Sequence, residues 1–304
     1  MRPQPLTGGN MLILISDAFD ASLESKLKAF GDVTTDKARA TEADVILVRA
    51  KTICNKEYID AAKNCKLIIR GGVGIDNIDK PYAESKGIIV RNTPKSSSIA
   101  VAELTFALML SVPNHIVEYD EGMKAGQWLK NIKRTELYGK TLGLLVIGNI
   151  ATKVAERAKA FGMDVVAYDK YVTSSAVAKL VPTVEDAVKD ADYISIHMPL
   201  TDETRGMFNS KLFSIMTKKP VIVNAARGAI IDADDMVKAL DEGQVTWYCA
   251  DVYPNDPPAE DYPILKAQHV TLTPHVGANS KENLNRIGDE IIDTIKALKE
   301  EGKL

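Results

Sequence analysis

Short, almost unbroken runs of aliphatic and β-branched residues alternate with helix-period segments along nearly the whole chain. This alternation limits the fold more than any other feature. MLILIS (11–16), VILVRA (45–50), LIIRG (67–71) and GIIVRN (87–92) read as strands that are apolar on both faces. Such strands belong in parallel sheets covered by helices on either side. Amphipathic stretches at 20–30 and 55–64 supply the intervening helices. A mostly helical region, 97–127, then separates this series from a second one. That series runs through TLGLLVIG (141–148), DVVAYD (164–169), YISIHM (193–198), VIVNAA (221–226), TWYCADV (246–252) and HVTLTP (269–274), and a charged helix over 280–301 follows. The pattern predicts an α/β protein of two Rossmann-like, doubly wound parallel-sheet domains. The crossover is the 97–127 region, and the last helix returns to the first domain. The expected division is 1–100 with 281–304 against 101–280.

A chain of 304 residues is long enough for two such cores. Its 38 basic and 41 acidic residues leave a formal net charge of −3, which argues against a nucleic-acid partner. No apolar run approaches the roughly 20 residues that span a bilayer, so no membrane association is expected. The first ten residues, MRPQPLTGGN, lack the apolar h-region of a signal peptide and read as an extension ahead of a fold that opens at Met11. Cys54, Cys65 and Cys249 are odd in number and without C-x-x-C spacing, and the four histidines are scattered. Reduced thiols in the cytoplasm, and no metal site, are expected.

The second series opens with a nucleotide-binding signal. A strand runs into Val146-x-Gly148-x-x-Ala151 and then a helix-prone segment, and Asp169 ends the next strand. A glycine at the middle position lets backbone approach a pyrophosphate that faces the helix N-terminus. Asp169 lies about 20 residues on, where a carboxylate accepts from the adenosine ribose and repels a 2′-phosphate, so NAD is favoured over NADP. Valine at the first position is unexpected, because the tight turn there suits a residue without a Cβ.

Two polar residues stand at strand ends, where open α/β sheets bind ligands. His275, in TPHVGA, has a side chain suited to taking a hydroxyl proton near neutral pH. Arg227, in NAARGAIID, can hold a carboxylate bidentately. Each has a plainer reading, a histidine bonded only to its loop and a surface arginine in a glycine turn. His115, His197 and His269 take the plainer reading, although His197 also ends a strand and can line a cofactor pocket.

Together the fragments resemble the D-2-hydroxyacid dehydrogenase family. RGGVGIDNID (70–79), NTP (92–94), VAELTFALML (101–110), GKTLG (139–143), HMPLTDETRG (197–206), NAARGAIID (224–232), ADVY (250–253) and TPHVGA (273–278) occur in family order from Met11 onward. The resemblance implies an active site in the cleft between the two domains, with a catalytic set of Arg227, Asp256 and His275. It implies cofactor contacts from Gly148, Asn149, Ile150, Asp169, His197, Pro199, Ala225, Ala226, Asp251, His275 and Gly277, with Asp251 on the nicotinamide carboxamide. The backbone of Gly72, Val73 and Gly74 would cradle the substrate carboxylate, while Arg227 orients the substrate. A homodimer is implied as well, in which the basic segment GQWLKNIKR (126–134) can reach the partner's active site.

Within the family the sequence is most similar to the short-type D-3-phosphoglycerate dehydrogenases. VRAKT (48–52) and Arg70 in IIRGG match that subgroup, so Arg49, Lys51 and Arg70 are expected to hold a substrate phosphate. The implied reaction is NAD-dependent oxidation of 3-phospho-D-glycerate to 3-phosphohydroxypyruvate, the entry to serine synthesis. A sibling reductase of glyoxylate, hydroxypyruvate or another 2-keto acid, and a non-catalytic NAD(H)-binding scaffold, are the alternatives. The departures are Val146 at the cofactor turn, Asn149 for a common arginine, Ser97 for a common asparagine, bulky TWYCA (246–250), and Asp256 where the family usually has glutamate. Aspartate is one methylene shorter, which predicts that its carboxylate falls short of His275 unless the loop moves or a water bridges.

Overall fold

A computed structural model of the chain describes residues 11–304; the expected N-terminal extension lies outside the described residues. The chain divides into two compact units, one formed by the residues up to Ser97 with Asn279–Leu304, the other by Ser98–Ala278.

The first unit carries strands β1 (Leu12–Ile15), β2 (Asp32–Thr34), β3 (Val45–Val48), β4 (Leu67–Arg70) and β5 (Ile89–Asn92). They form one sheet in the order β2-β1-β3-β4-β5, parallel throughout. Helices α1 (Ser22–Leu27), α2 (Lys56–Ala61) and α3 (Lys80–Ser85) connect them. Because successive strand residues face opposite sides, the apolar runs serve two cores at once. Leu14, Ile46, Val48 and Ile68 meet Ile59 and Ala83 of α2 and α3 on one side. On the other, Ile13, Val45, Leu47 and Ile69 meet Leu23 and Leu27 of α1. Asn55 and Asp79 cap α2 and α3 by accepting from the N–H groups of Tyr58 and Tyr82.

The second unit opens with α4 (Ser98–Ser111) and α5 (Ile116–Lys124). The single helical region expected over 97–127 is therefore two helices. Val112 precedes Pro113 and is biased away from helical backbone, and His115 takes a left-handed conformation, φ 51°, before α5 begins. There follow β6 (Thr141–Leu145), α6 (Asn149–Ala160), β7 (Asp164–Tyr168), β8 (Lys179–Val181), α7 (Val184–Val188), β9 (Tyr193–Ile196), α8 (Ser210–Phe213), β10 (Val221–Asn224), α9 (Ala233–Asp241), β11 (Trp247–Ala250) and β12 (Val270–Leu272). The sheet order is β12-β11-β10-β9-β6-β7-β8, again all parallel. The chain winds outward from β6 in one direction and from β9 in the other. The adjacent ends of β6 and β9 are thus the switch point where such sheets open a ligand crevice.

The charged last helix, α10 (Lys281–Glu300), belongs to the first unit. Its Ile287, Ile291, Ile295 and Leu298 recur at three- and four-residue spacing and complete the core over β1, β3 and β4. Ser280 caps it by accepting from the Asn283 N–H. Among the described residues no single helix is long and apolar enough to cross a membrane. No group of three His, Cys, Asp or Glu side chains there is placed to hold a metal.

Candidate active site

At the switch point of the second unit, β6 leads into a turn whose geometry explains the glycine pattern. Val146 has φ 73°, in the left-handed region that glycine enters freely and a β-branched residue enters only under strain. The turn keeps the backbone of a glycine although a valine fills it. Val146 N–H donates to Tyr168 O at 2.7 Å. Gly148 then caps α6 with no side-chain bond, and a Cβ built on it would meet nothing within 4 Å. The first amides of α6, beginning with Asn149 and Ile150, therefore lie behind a bare glycine, a cradle open to an anion.

Asp169 flanks this turn from the end of β7. Its carboxylate accepts from the N–H groups of Ile147 (2.9 Å), Tyr171 (2.8 Å) and Val172 (3.0 Å). Burial pushes its pKa up, but the three backbone donors outweigh this and leave it below the ordinary carboxylate value. An anion fixed here and a helix start capped by a glycine beside it fit an adenosine ribose and a pyrophosphate, and so fit a dinucleotide. On the other side of β6, His197 Nε2 bonds Ser195 Oγ at 2.8 Å, and burial pushes the imidazole down to about 4. His197 is therefore a neutral ring near the crevice. Pro199 follows it, with its carbonyl accepting from Thr204 Oγ1 at 2.7 Å.

The segment after β12 places His275. Of the alternatives left open for the shorter aspartate, the one seen is a loop path that brings it within reach: His275 Nδ1 is hydrogen-bonded directly to an Asp256 carboxylate oxygen. The loop after β11 brings Asp256 in, and His275 adopts left-handed backbone, φ 54°, as it presents its ring. Neither loop path is visible in side-chain length. An ionised carboxylate only accepts, so a neutral imidazole here carries its proton on Nδ1 and its lone pair on Nε2.

Asp251 supports this segment from beneath. It is 1% exposed, and its two oxygens accept from Thr273 Oγ1 (2.7 Å), Val276 N–H (2.8 Å) and Gly277 N–H (2.8 Å). Three of roughly four acceptor positions on the carboxylate are thus spent on the loop that carries His275. A Cβ on Gly277 would come within 2.9 Å of Asp251 Oδ2, which accounts for a glycine there.

Arg227 follows β10 in a turn built by Asn224. The Asn224 side chain accepts from Ala226 N–H at 3.0 Å and donates to Arg227 O at 2.9 Å, with Ala225 spanned between. Gly228 is required next, since a Cβ would lie 2.2 Å from the Tyr253 backbone. Arg227 Nη1 donates to Ala226 O.

In the first unit, Arg49 and Lys51 follow the end of β3 and Arg70 ends the adjacent β4, Val48 of β3 being paired with Arg70. Burial pulls the Arg49 guanidinium below its ordinary pKa, with Asp17 opposing. The Arg70 guanidinium lies over Gly72, where φ is 145° and a Cβ would fall 1.5 Å from Nη1. The carbonyls of Gly72 and Val73 are engaged by Thr93 N–H and by Asn92 Nδ2, which fixes the Gly72–Gly74 turn from β5.

Sequence reasoning missed four side chains that build these sites: Asp17, Asn77, Ser195 and Asn224. Asn77 and Asn224 sit inside glycine-rich strand-end turns, where a short amide is a ready partner for backbone groups.

Comparison with known proteins places these features in one family. Residues 106–277 match the family model described as D-isomer specific 2-hydroxyacid dehydrogenase, NAD binding domain. The chain is 39% identical over 297 residues to a D-3-phosphoglycerate dehydrogenase of Methanocaldococcus jannaschii, covering 93% of this chain and 56% of that one. It is 40% identical over 257 residues to a hydroxypyruvate reductase of Thermotoga maritima, covering 84% of each. A solved structure of D-lactate dehydrogenase from Aquifex aeolicus, complexed with NAD and lactic acid, superposes with a TM-score of 0.84 at 27% identity, covering 95% of each chain. The chain spans about half the length of the D-3-phosphoglycerate dehydrogenases it matches.

Proposed function

The chain belongs to the D-isomer specific 2-hydroxyacid dehydrogenase family, and from that membership we propose that it oxidises 3-phospho-D-glycerate to 3-phosphohydroxypyruvate with NAD, as in the first step of serine synthesis. The observation that carries the reading is the Asp256–His275 pair. His275 Nε2 takes the C2 hydroxyl proton as C2 loses its hydride, and the Asp256 carboxylate stabilises the imidazolium that results. Arg227 binds the substrate carboxylate and polarises the C2 oxygen. When bound, NAD supplies the hydride acceptor. Asp169 receives the ribose hydroxyls, the α6 N-terminus faces the pyrophosphate, and Asp251, with one acceptor position left, receives the nicotinamide amide. His197 and Pro199 line the same crevice.

In the first unit, Arg49, Lys51 and Arg70 hold the substrate phosphate, and the Gly72–Gly74 turn receives its carboxylate. The second reading is a hydroxypyruvate reductase, favoured by the Thermotoga relative matched over 84% of its length. Steady-state oxidation of 3-phospho-D-glycerate, D-glycerate and D-lactate, followed by NADH absorbance with the keto product trapped, decides between them. Preference for the phosphorylated acid supports the first reading; equal or better use of D-glycerate overturns it for the second.

We also propose a homodimer in a reducing compartment. The supporting features are Ile116, Val117, Met123 and Trp128, the last 74% exposed, on and beyond α5, together with three buried free thiols. The oligomeric state read by sedimentation tests the first of these.

A further inference from the structure

The turn that carries Arg49 and Lys51 is held by two side chains from the neighbouring strands. β3 lies between β1 and β4 in the sheet, and each neighbour sends one polar residue from just past its end. Asp17, past β1, accepts from Arg49 N–H at 2.6 Å and Thr52 N–H at 3.1 Å through one oxygen, and from Thr52 Oγ1 at 2.7 Å through the other. Ser16 Oγ lies 2.9 Å from the same threonine hydroxyl. Asn77, past β4, donates to both Arg49 O and Thr52 O at 2.7 Å. The N–H and C=O groups at both ends of the turn are therefore bound by Asp17 and Asn77. The Asp17 side chain is only 2% exposed, so its bonds are little diluted by water. Between the clamped ends, Arg49 is half-buried and Lys51 exposed.

We propose that Asp17 and Asn77 are positioning residues for substrate selectivity, a two-sided clamp that fixes the 49–52 turn so that Arg49 and Lys51 meet the terminal phosphate already in place. This rests on the phosphate reading of Arg49 and Lys51. Neither clamp residue touches substrate. A turn left to its own backbone would have to be ordered each time a ligand bound, and prior fixing removes that loss. The predicted signature is a loss of preference for the phosphorylated acid rather than a general loss of turnover.

The experiment is a double-mutant cycle of Arg49→Ala and Asn77→Ala, read as the ratio of kcat/KM for 3-phospho-D-glycerate to that for D-glycerate. That ratio is independent of how much of each variant is folded. Arg49→Ala is expected to lower it about thirtyfold or more, as loss of a charged hydrogen bond does. Asn77→Ala is expected to lower it about tenfold, from two lost backbone bonds. Because Asn77 acts through the turn that carries Arg49 and Lys51, the double variant falls by clearly less than the product of the two single effects. Thr52→Val, which removes the Asp17 and Ser16 hydroxyl bonds but keeps the shape, should move the ratio the same way by a smaller factor. An Arg49→Ala ratio equal to wild type overturns the phosphate reading itself. An effect of Arg49→Ala with no effect of Asn77→Ala, or with effects that multiply in the double variant, leaves the phosphate reading standing and overturns the clamp.

Discussion

Val146 and His275 both end a strand region of the second unit with left-handed backbone on a residue that has a Cβ, yet they are held in different ways. The His275 segment is anchored by a buried carboxylate, Asp251, through three hydrogen bonds, and its ring is bonded to Asp256. The Val146 turn is tied at its edges, by Val146 N–H to Tyr168 O and Ile147 N–H to Asp169. At His275 the unusual backbone presents a ring whose chemistry no other residue there supplies. At Val146 the side chain offers only apolar packing, against the cluster around Leu145, Ile194 and Ile222, so the strain of about 1–3 kcal/mol is set against that packing and not against any chemistry. Unusual backbone conformation alone thus does not mark a functional residue; the polar scaffolding around it does.

The largest expected effect that tests this contrast is at Asp256. Asp256→Asn removes the anion facing Nδ1 and permits the wrong tautomer, and kcat at neutral pH should fall about a hundredfold or more. Retention of wild-type kcat would mean that the pair does not set the proton-transfer atom. Next, Asp251→Asn presents an amide to three donors arranged for a carboxylate. Unfolding by denaturant should show a loss of about 1–3 kcal/mol, and the Val276 and Gly277 amides should exchange faster with solvent. Unchanged exchange at those two amides would remove Asp251 from the scaffolding.

The pH dependence of stability is set in part by His197. Its folded-state pKa, about 4, lies below the ordinary histidine value of about 6.5, so the unfolded chain binds the proton more readily. Its stabilising contribution is present above pH 6.5 and is lost as pH falls from there toward 4. His197→Asn should flatten that limb of the unfolding free energy, measured by denaturant titration at several pH values; an unchanged slope would assign the acid sensitivity elsewhere. The smallest effect belongs to Val146→Gly. Relief of strain is set against the looser unfolded chain of glycine, and a net gain of roughly 0.5–1 kcal/mol is expected. A loss, measured by the same denaturant titration, would show that valine packing outweighs the backbone.

Most of the fold is legible in the sequence because parallel strands buried on both faces announce themselves as apolar runs. The exceptions are instructive. β2 and β8 are three-residue, half-exposed edge strands with no apolar run to find. The break between α4 and α5 hangs on Pro113 and the backbone of His115, a local detail within a region of helical composition. At the site, the identities of His275, Arg227 and Asp169 are legible from motif and position, and Val146 is legible as the odd residue at its turn. The contact between Asp256 and His275 is not, because it depends on the paths of two loops rather than on side-chain length. The clamp by Asp17 and Asn77 also escapes the sequence, since it appears only once β1, β3 and β4 are known to lie side by side.

In the proposed reaction His275, oriented by Asp256, moves the hydroxyl proton as a D-2-hydroxy acid is oxidised. The most direct test compares NADH formation from 3-phospho-D-glycerate by the wild-type protein and by His275→Ala, with NADH binding measured on both by fluorescence. Turnover by the wild type, a loss of about a hundredfold or more in the variant, and NADH affinity little changed are expected. Equal turnover by the two proteins, or tight NADH binding with no turnover of any 2-hydroxy or 2-keto acid by the wild type, would contradict the proposed reaction.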